Sequence, residues 1–148
     1  MTTPRINLNA DLGESFGAWT MGDDTALLQI VKSANVACGF HAGDPTVMQE
    51  TVRLAMAQGV SVGAHPSFPD LQGFGRRVMQ MSAKDLEATL LYQIGALQAI
   101  TAAEGTRVTH VKPHGALHNV ACADAAVAAT VVKAVRKLDP SLVLLVPP

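Results

Sequence analysis

Titratable side chains follow four short, mostly apolar segments of the chain. They are Asp11 and Glu14 after the first segment, His41 after the second, His65 after the third, and Lys112 and His114 after the fourth. If these segments are parallel strands, their carboxyl ends lie at one rim, where α/β proteins build their active sites. A single loop histidine or lysine is more often structural or solvated. Repetition at four successive segment ends instead predicts one functional site.

Two kinds of chemistry fit this set of residues. Asp11, His41 and His65 could bind a divalent metal ion, which polarises a carbonyl group or activates water. Alternatively, the carboxylates and histidines could act as general acid and base while Lys112 stabilises a developing oxyanion or phosphate. Spacing does not separate the two, because the residues do not share one helix as in HExxH. The chain has no GxxxxGK[ST] loop and no GxGxxG after a strand, so these residues do not indicate nucleotide binding.

The elements that would position these residues alternate between strand and helix. The first predicted strand starts at Ile6 and places Asn7, Asn9 and Asp11 on one face, which indicates that this face meets a polar site. Further strands are predicted at residues 35–39, 60–64, 107–111 and 142–146. Helices are predicted to begin at Asp23-Asp24, Asp44-Pro45, Ser82 and Asp124, from capping side chains and proline at the first helical position.

Some residues within these elements are interpreted as structural rather than functional. Leu27, Leu28, Val31 and Ala34 recur at helical spacing and predict the buried stripe of the first helix. His110 lies inside the fourth predicted strand and is interpreted as a core histidine, while His118 is placed in a loop and has no assigned role. A long loop at residues 67–81 carries Arg76 and Arg77.

The alternation of strand and helix predicts an α/β fold with a parallel sheet, either open or closed into a barrel. Each strand–helix unit takes roughly 30 to 45 residues, whereas a complete eight-unit barrel needs about 250. The 148-residue chain is therefore interpreted as one partial β/α-barrel domain spanning residues 1–148. Two prolines directly after the last strand suggest that a C-terminal part is absent.

Composition narrows the class of protein further. Hydrophobic residues make up 49% of the chain and charged residues 16%, as in ordinary globular domains. The formal net charge of -1 provides no field that would attract nucleic acid or an anionic membrane. Two distant cysteines form no disulfide framework, and the N-terminal residues have no signal-peptide core. These features predict a cytoplasmic protein without nucleic-acid or membrane partners.

Several segments together resemble a known family. They are residues 9–17 (NADLGESFG), 33–45 (SANVACGFHAGDP), 63–66 (GAHP), 69–77 (PDLQGFGRR) and 110–117 (HVKPHGAL). In this order they resemble the LamB/YcsF family, the family of the A-type subunit of 5-oxoprolinase (ATP-hydrolysing). The match covers essentially the whole chain.

The resemblance implies a distorted, TIM-like β/α barrel similar to the glycoside hydrolase/deacetylase superfamily. It also implies cleavage of 5-oxo-L-proline to L-glutamate, driven by ATP, with two partner subunits. Whether ATP binds to this chain or to a partner is left open, as is the presence of a divalent metal.

A hypothesis for the site assigns roles under this resemblance. Its catalytic residues are Asp11, Glu14, Lys112 and His114, its substrate-binding residues are Asn9, Arg76 and Arg77, and its metal ligands are Asp11, His41 and His65. An arginine would bind the substrate carboxylate with two hydrogen bonds. Two alternatives remain: a stand-alone metal-dependent amidase or deacetylase, and a non-enzymatic barrel that binds a small molecule.

Overall fold

A computed structural model describes residues 6–147 of the chain. The strands in this part are β1 (Asn9–Leu12), β2 (Ser33–Ala37), β3 (Ser61–His65), β4 (Val108–Val111) and β5 (Val143–Leu144). The helices are α1 (Asp24–Leu28), α2 (Pro45–Ala57), α3 (Ala83–Ala103), α4 (Gly115–Ala123) and α5 (Ala125–Leu138).

Capping side chains fix the starts of the helices, as the sequence predicts. Asp44 accepts hydrogen bonds from the backbone of Thr46 and Val47 at the start of α2. Ser82 does the same for α3, and Asp124 for α5. Each cap satisfies backbone N–H groups that have no partner inside the first turn of the helix.

The strands form one parallel sheet in the order β1-β2-β3-β4-β5. Within residues 6–147, each strand pairs with the next strand along the chain, so the order does not reverse as it does in doubly wound folds. Sequential parallel pairing is the arrangement of β/α barrels. The predicted fold class is confirmed, and the sheet is open rather than closed across these residues.

The two faces of the sheet differ in chemistry. One face packs against the helices and forms the apolar core, which includes Leu12, Val36 and Val62 from the strands and Leu90 and Leu97 from α3. Alternate residues of the same strands, with Lys112 directly after β4, form a polar face. Its members are Asn9, Asp11, Ser33, Asn35, Gly63, His65, His110 and Lys112, several of them joined by hydrogen bonds.

A β-bulge in β4 sets which of its side chains join the polar face. Val62 pairs with Val108, but Gly63 pairs with His110, so Thr109 is the extra residue. Val108 is therefore buried in the apolar core, while His110 and Lys112 point to the other face. Without the bulge, strict alternation would give Val108 and His110 the same face.

Some predicted boundaries are wrong. β1 begins only at Asn9, and the side chains of Ile6 and Leu8 are 83% and 49% exposed, because they have no core to cover. α1 ends at Leu28, so Val31 follows the helix and Ala34 lies in β2, where alternation rather than helical spacing buries it. β2 spans Ser33–Ala37 instead of 35–39, and β5 has two residues.

The sequence interpretation missed α4, which contains His118. The residue at its N-cap position is His114, whose side chain makes no capping hydrogen bond, so the usual start signal is absent. Among the described residues, no single helix is long and apolar enough to cross a membrane. The pair α4 and α5 passes that test only when joined, and the two helices meet at a bend of 118°.

Candidate active site and metal centre

The carboxyl ends of β1 to β4 bring the predicted residues together. Lys112 Nζ lies 2.7 Å from Asp11 Oδ1, although the two residues are 101 positions apart in sequence. The imidazole rings of His41 and His114 stack with centroids 3.7 Å apart, and His65 meets both rings edge-on. All three histidines are buried. The convergence expected of parallel strands is present in the structure.

Two backbone carbonyl groups orient the rings of His65 and His114. His65 Nδ1 lies 2.6 Å from the carbonyl oxygen of Lys112, and His114 Nε2 lies 2.8 Å from that of Phe74. Because a carbonyl oxygen only accepts, each of these nitrogens must carry its hydrogen. The other nitrogens, His65 Nε2 and His114 Nδ1, then present lone pairs to each other at 3.0 Å. A proton or a cation is needed between them.

Glu14 and His41 complete this cluster. Glu14 Oε1 lies 3.1 Å from His41 Nε2 and 3.6 Å from His114 Nδ1. His41 Nδ1 is buried and has no hydrogen-bond partner among the described residues. One ligand atom from each of Glu14, His41, His65 and His114 lies within 4.8 Å of the other three. We call these four residues the tetrad.

Burial keeps two rings of the tetrad neutral. It lowers the pKa of His41, against the opposing effect of Glu14. It also lowers the pKa of His114 to about 4, with smaller contributions in the same direction from His41 and His65. Neutral imidazole is the form that binds metal ions. Facing lone pairs, second nitrogens fixed by carbonyl oxygens and a carboxylate are the features of a divalent metal site, so the residues fit such an ion.

The tetrad differs from the ligand set that the sequence predicts. It contains His41 and His65, but Glu14 and His114 take the place of Asp11. Asp11 instead forms an ion pair with Lys112, its two oxygens lying 2.7 and 3.0 Å from Nζ. Burial raises the pKa of Asp11, but hydrogen bonds and charge from His65, Lys112 and Asn35 outweigh it and hold that pKa well below its usual range.

A cavity of about 270 Å³ opens beside the Asp11–Lys112 pair. Its walls include Asp11, His65, Arg76, Lys112, His118 and Asn119. His118 and Asn119 come from α4, which explains why sequence interpretation did not connect them with the site. The cavity therefore places an ionised carboxylate, a lysine and an arginine around a space suited to a small polar molecule.

The two predicted arginines have different surroundings. Arg77 donates from Nε to Asp70 Oδ1 at 2.9 Å and forms an ion pair with the same carboxylate. That interaction, with backbone N–H donors from Gly73 and Arg77, lowers the pKa of Asp70 to about 2. Arg76 lines the cavity, with its guanidinium 5.6 Å from the centre of the Phe74 ring. Arg76 faces the site, and Arg77 fixes the loop.

Asn9, the other predicted substrate-binding residue, lies outside the cavity. Its side-chain nitrogen donates to Ser33 Oγ at 2.9 Å and to Asn35 Oδ1 at 3.1 Å. Asn9 precedes Asp11 by one inward-facing position of β1, so it lies deeper on the polar face. Among residues 6–147, hydrogen bonds connect it to Asp11 through Asn35.

The loop after β3 contributes residues that the sequence did not single out. Gln93 of α3 is fully buried and bonds both the N–H and the carbonyl of Ser67, each at 2.9 Å. Phe74 adopts φ 54°, which is uncommon outside glycine, and directs its carbonyl oxygen at His114. These contacts hold the histidines through the backbone, which no side-chain motif in the sequence reveals.

Gly43 joins the loops that carry Glu14 and His41, since its N–H donates to the carbonyl of Ser15 at 2.9 Å. It has φ 78°, and a Cβ here would lie 2.7 Å from the carbonyl oxygen of Gly13. We expect Gly43→Ala to lower the free energy of unfolding by about 2 kcal/mol or more, measured by denaturant titration. Gly95→Ala is the matched control: it lies in mid-α3 with no atom within 4 Å of its Cβ, and should raise stability by about 0.5–1 kcal/mol. Equal effects at the two positions would contradict the prediction.

A sequentially ordered parallel sheet with titratable side chains at its carboxyl ends defines a β/α-barrel type of protein with a polar, enzyme-like site. More particularly, the chain belongs to the LamB/YcsF family, whose sequence model matches residues 6–148. The resemblance found in the motifs is thereby confirmed.

Relatives of the chain carry informative names. It is 69% identical over 143 residues to the A-type subunit of 5-oxoprolinase of Azoarcus sp. (strain BH72), covering 97% of this chain and 56% of the relative. It is 61% identical over 140 residues to the first A-type subunit of 5-oxoprolinase of Pseudomonas syringae pv. tomato, covering 95% and 55%. The chain spans about half the length of these curated relatives, which are named as subunits.

A solved structure supports the fold directly. The crystal structure of "Lactam Utilization Protein" from Thermus thermophilus is 54% identical to this chain and superposes with a TM-score of 0.96. The match covers 98% of this chain and 59% of the Thermus chain.

Proposed function

We propose that this chain carries the strand-end site of an A-type subunit of 5-oxoprolinase, which opens 5-oxo-L-proline to L-glutamate in an ATP-dependent reaction. The observation that carries the proposal is the cavity in which the Asp11–Lys112 pair, His65 and Arg76 converge. The names of the relatives, two 5-oxoprolinase subunits and a lactam utilization protein, support the same chemistry.

The substrate has two polar features that the cavity complements. Its carboxylate suits Arg76, whose guanidinium has no carboxylate partner among the described residues and can donate two hydrogen bonds in parallel. Its lactam carbonyl suits Lys112, whose ammonium group can stabilise negative charge that develops on the oxygen. Asp11 Oδ2, which faces His65 Nε2 at 3.4 Å, is then the group to accept a proton from attacking water.

ATP has a clear chemical use in such a reaction. A five-membered lactam is a stable amide with a poor leaving group, so attack by water alone is slow. Phosphorylation of the carbonyl oxygen makes the ring carbon more electrophilic, so water adds to it more easily. The C–N bond of the adduct then breaks with the nitrogen leaving as the amine, and hydrolysis of the resulting acyl phosphate releases glutamate and phosphate. Lys112 is suited to the phosphate as well as to the oxyanion. The ATP that drives the reaction would be bound by this subunit or by a partner subunit.

The tetrad would hold a divalent metal ion. Three imidazole nitrogens and one carboxylate oxygen are donors that Zn²⁺ and similar transition metals accept. When bound, such an ion supplies Lewis acidity that polarises a carbonyl group or lowers the pKa of water. The carbonyl oxygens of Lys112 and Phe74 would hold the His65 and His114 rings in the orientation that leaves a lone pair for the ion.

The distinction between the two arginines is testable by substitution. Arg76→Met should raise KM for 5-oxoproline by about 10- to 100-fold, because a charge-assisted pair with the substrate carboxylate is lost. Arg77→Met should leave KM nearly unchanged but lower the melting temperature, because the buried Asp70 carboxylate loses its ion pair. Steady-state kinetics and thermal unfolding measure both. A rise in KM for Arg77→Met alone would reverse the assignment.

Glutamate release from 5-oxoproline tests the proposed function. The full-length protein is assayed with and without ATP, alone and with its partner subunits, of which we predict two. Release that requires both ATP and the partners is the expected result. No release under any combination would remove the oxoprolinase proposal. A cytoplasmic location stays a prediction, tested by fractionating cells.

The tetrad favours one other function, that of a metal-dependent amidase acting without ATP. Such an enzyme would need a bound divalent ion and would hydrolyse amides in the absence of partner subunits. Chelation that abolishes activity, together with rates independent of ATP, would select it over the oxoprolinase.

A further inference from the structure

A chain of hydrogen-bonded side chains crosses the polar face of the sheet from His110 in β4 to Asp11 in β1. His110 Nε2 lies 3.0 Å from Asn35 Oδ1, and Asn35 Nδ2 donates to Asp11 Oδ1 at 2.7 Å. Asn35 also exchanges amide hydrogen bonds with Asn9, at 2.5 and 3.1 Å. Asn35 is fully buried and His110 is 6% exposed. Neither residue lines the cavity or belongs to the tetrad.

Asp11 sets the direction of each hydrogen bond from itself through Asn35 to His110. Because an ionised carboxylate only accepts, the Asn35 atom that faces it must be the amide nitrogen. Asn35 Oδ1 then faces His110, so His110 Nε2 must carry the hydrogen. Burial lowers the pKa of His110, which leaves the ring neutral, so Nδ1 is an acceptor. It lies 2.8 Å from the hydroxyl of Thr109, whose one hydrogen has a second acceptor in the Val62 carbonyl oxygen at 3.0 Å. The arrangement requires one tautomer, with the hydrogen on Nε2.

The fold accommodates this row of hydrogen-bonded side chains at a cost in folding free energy. The β-bulge at Thr109 turns His110 from the apolar core to the polar face. The ring then fills the space over Gly63, where any Cβ would overlap it. Burying an amide and an imidazole costs free energy that an apolar pair would avoid. The hydrogen bonds of Asn35 are all satisfied, two given and two accepted, so its orientation is fixed.

We propose that Asn35 and His110 are positioning residues for the Asp11 carboxylate. Asn35 Nδ2 and Lys112 Nζ both donate to Asp11 Oδ1 at 2.7 Å, and Oδ2, which accepts from Lys112 Nζ at 3.0 Å, faces His65 Nε2 at 3.4 Å. His110 holds the Asn35 amide, and the amide in turn fixes the plane of the carboxylate. The inference rests on the proposed catalytic role of Asp11.

Two substitutions at His110 form a matched pair. The side-chain nitrogen of Gln reaches the position of Nε2 and can still donate to Asn35, whereas that of Asn reaches only the position of Nδ1. In the full-length protein with its partners, His110→Gln should keep kcat within about threefold. His110→Asn should lower kcat by about 10- to 100-fold with KM within about twofold, since a small misplacement of a catalytic group costs this much.

Melting temperatures separate positioning from stability. Both variants should lose stability, and His110→Asn should lose more, because it also gives up the buried hydrogen bond to Asn35. Turnover is therefore measured well below both melting temperatures, where each variant is folded. Equal kcat values in the two variants under these conditions would overturn the inference.

Two readouts without turnover distinguish this inference from the proposed function. Nitrogen NMR of the wild-type protein should find His110 with its hydrogen on Nε2, and the opposite tautomer would overturn the inference. Crystal structures should show Asp11 bonded to Asn35 and Lys112 in His110→Gln, and rotated in His110→Asn. An unmoved carboxylate in both would equally count against it. If the wild-type protein releases no glutamate, the proposed function fails while these readouts still decide the role of His110.

Discussion

Asp11→Asn is expected to lower kcat for glutamate release by about 10³-fold or more while the protein stays folded. The substitution removes the base and places an amide where the carboxylate accepts from Lys112 Nζ at 2.7 and 3.0 Å and from Asn35 Nδ2 at 2.7 Å. Both carboxylate oxygens of Asp11 accept from N–H groups in the wild-type protein. The NH₂ group of asparagine would therefore face a donor in either orientation and lose a hydrogen bond. Loss of a general base alone costs about 10²- to 10⁴-fold. The measurement is steady-state turnover by the full-length protein with its partners.

Asp124→Asn is the matched control for this prediction. Asp124 caps α5 through hydrogen bonds from Ala126 and Val127, and asparagine caps a helix about as well as aspartate. It makes the same chemical change away from the Asp11–Lys112 pair, so turnover should be unchanged. Circular dichroism and thermal unfolding confirm that each variant is folded. Near wild-type turnover by folded Asp11→Asn would rule out Asp11 as the base.

Removal of tetrad ligands is expected to abolish metal binding. The purified chain should bind about one divalent transition-metal ion, and His65→Ala or Glu14→Gln should weaken binding by at least about 100-fold, since loss of even a supporting contact costs 10- to 100-fold. The reason is geometric: the ligand atoms lie within 4.8 Å of one another, and the lone pairs of His65 and His114 face each other at 3.0 Å. Elemental analysis and calorimetric titration with Zn²⁺ measure the binding without any assay of activity.

Asp11→Asn also serves to separate two possible ligand sets. If the tetrad holds the metal, this variant keeps the ion although it has lost activity. If the set predicted from sequence holds it, Asp11→Asn loses the ion and Glu14→Gln keeps it. A metal-free wild-type chain that also fails to bind added Zn²⁺ would contradict both sets. The pair His65–His114 would then share a proton instead.

The sequence alone was sufficient for the order and type of most elements. Asp44-Pro45, Ser82 and Asp124 mark helix starts because capping is a local interaction between neighbouring residues. Alternating strands and helices predicted the parallel sheet, since the connection between parallel strands needs a crossover element. The helix α4 was missed because His114, at its N-cap position, uses its side chain for the tetrad rather than for capping.

The sequence also determined which titratable side chains were available for a site, but not which of them would lie together in it. Asp11, His41, His65, Lys112 and His114 were identified because each lies at or just beyond the end of a predicted strand, and parallel strands end at one rim. The distinction between Arg76 and Arg77 could not be made, because it depends on the path of a loop that Asp70 and Phe74 fix through long-range contacts.

Only the tertiary structure decided how the polar groups pair. Asp11 bonds Lys112, and Glu14 faces His41, because strands and loops distant in sequence are brought within hydrogen-bonding distance. The bulge at Thr109 places His110 on the polar face. Simple alternation from Val108 would instead bury His110 among apolar side chains. Sequence determines local preferences through neighbouring residues, whereas pairing and register depend on contacts between strands, and these exist only in the folded chain.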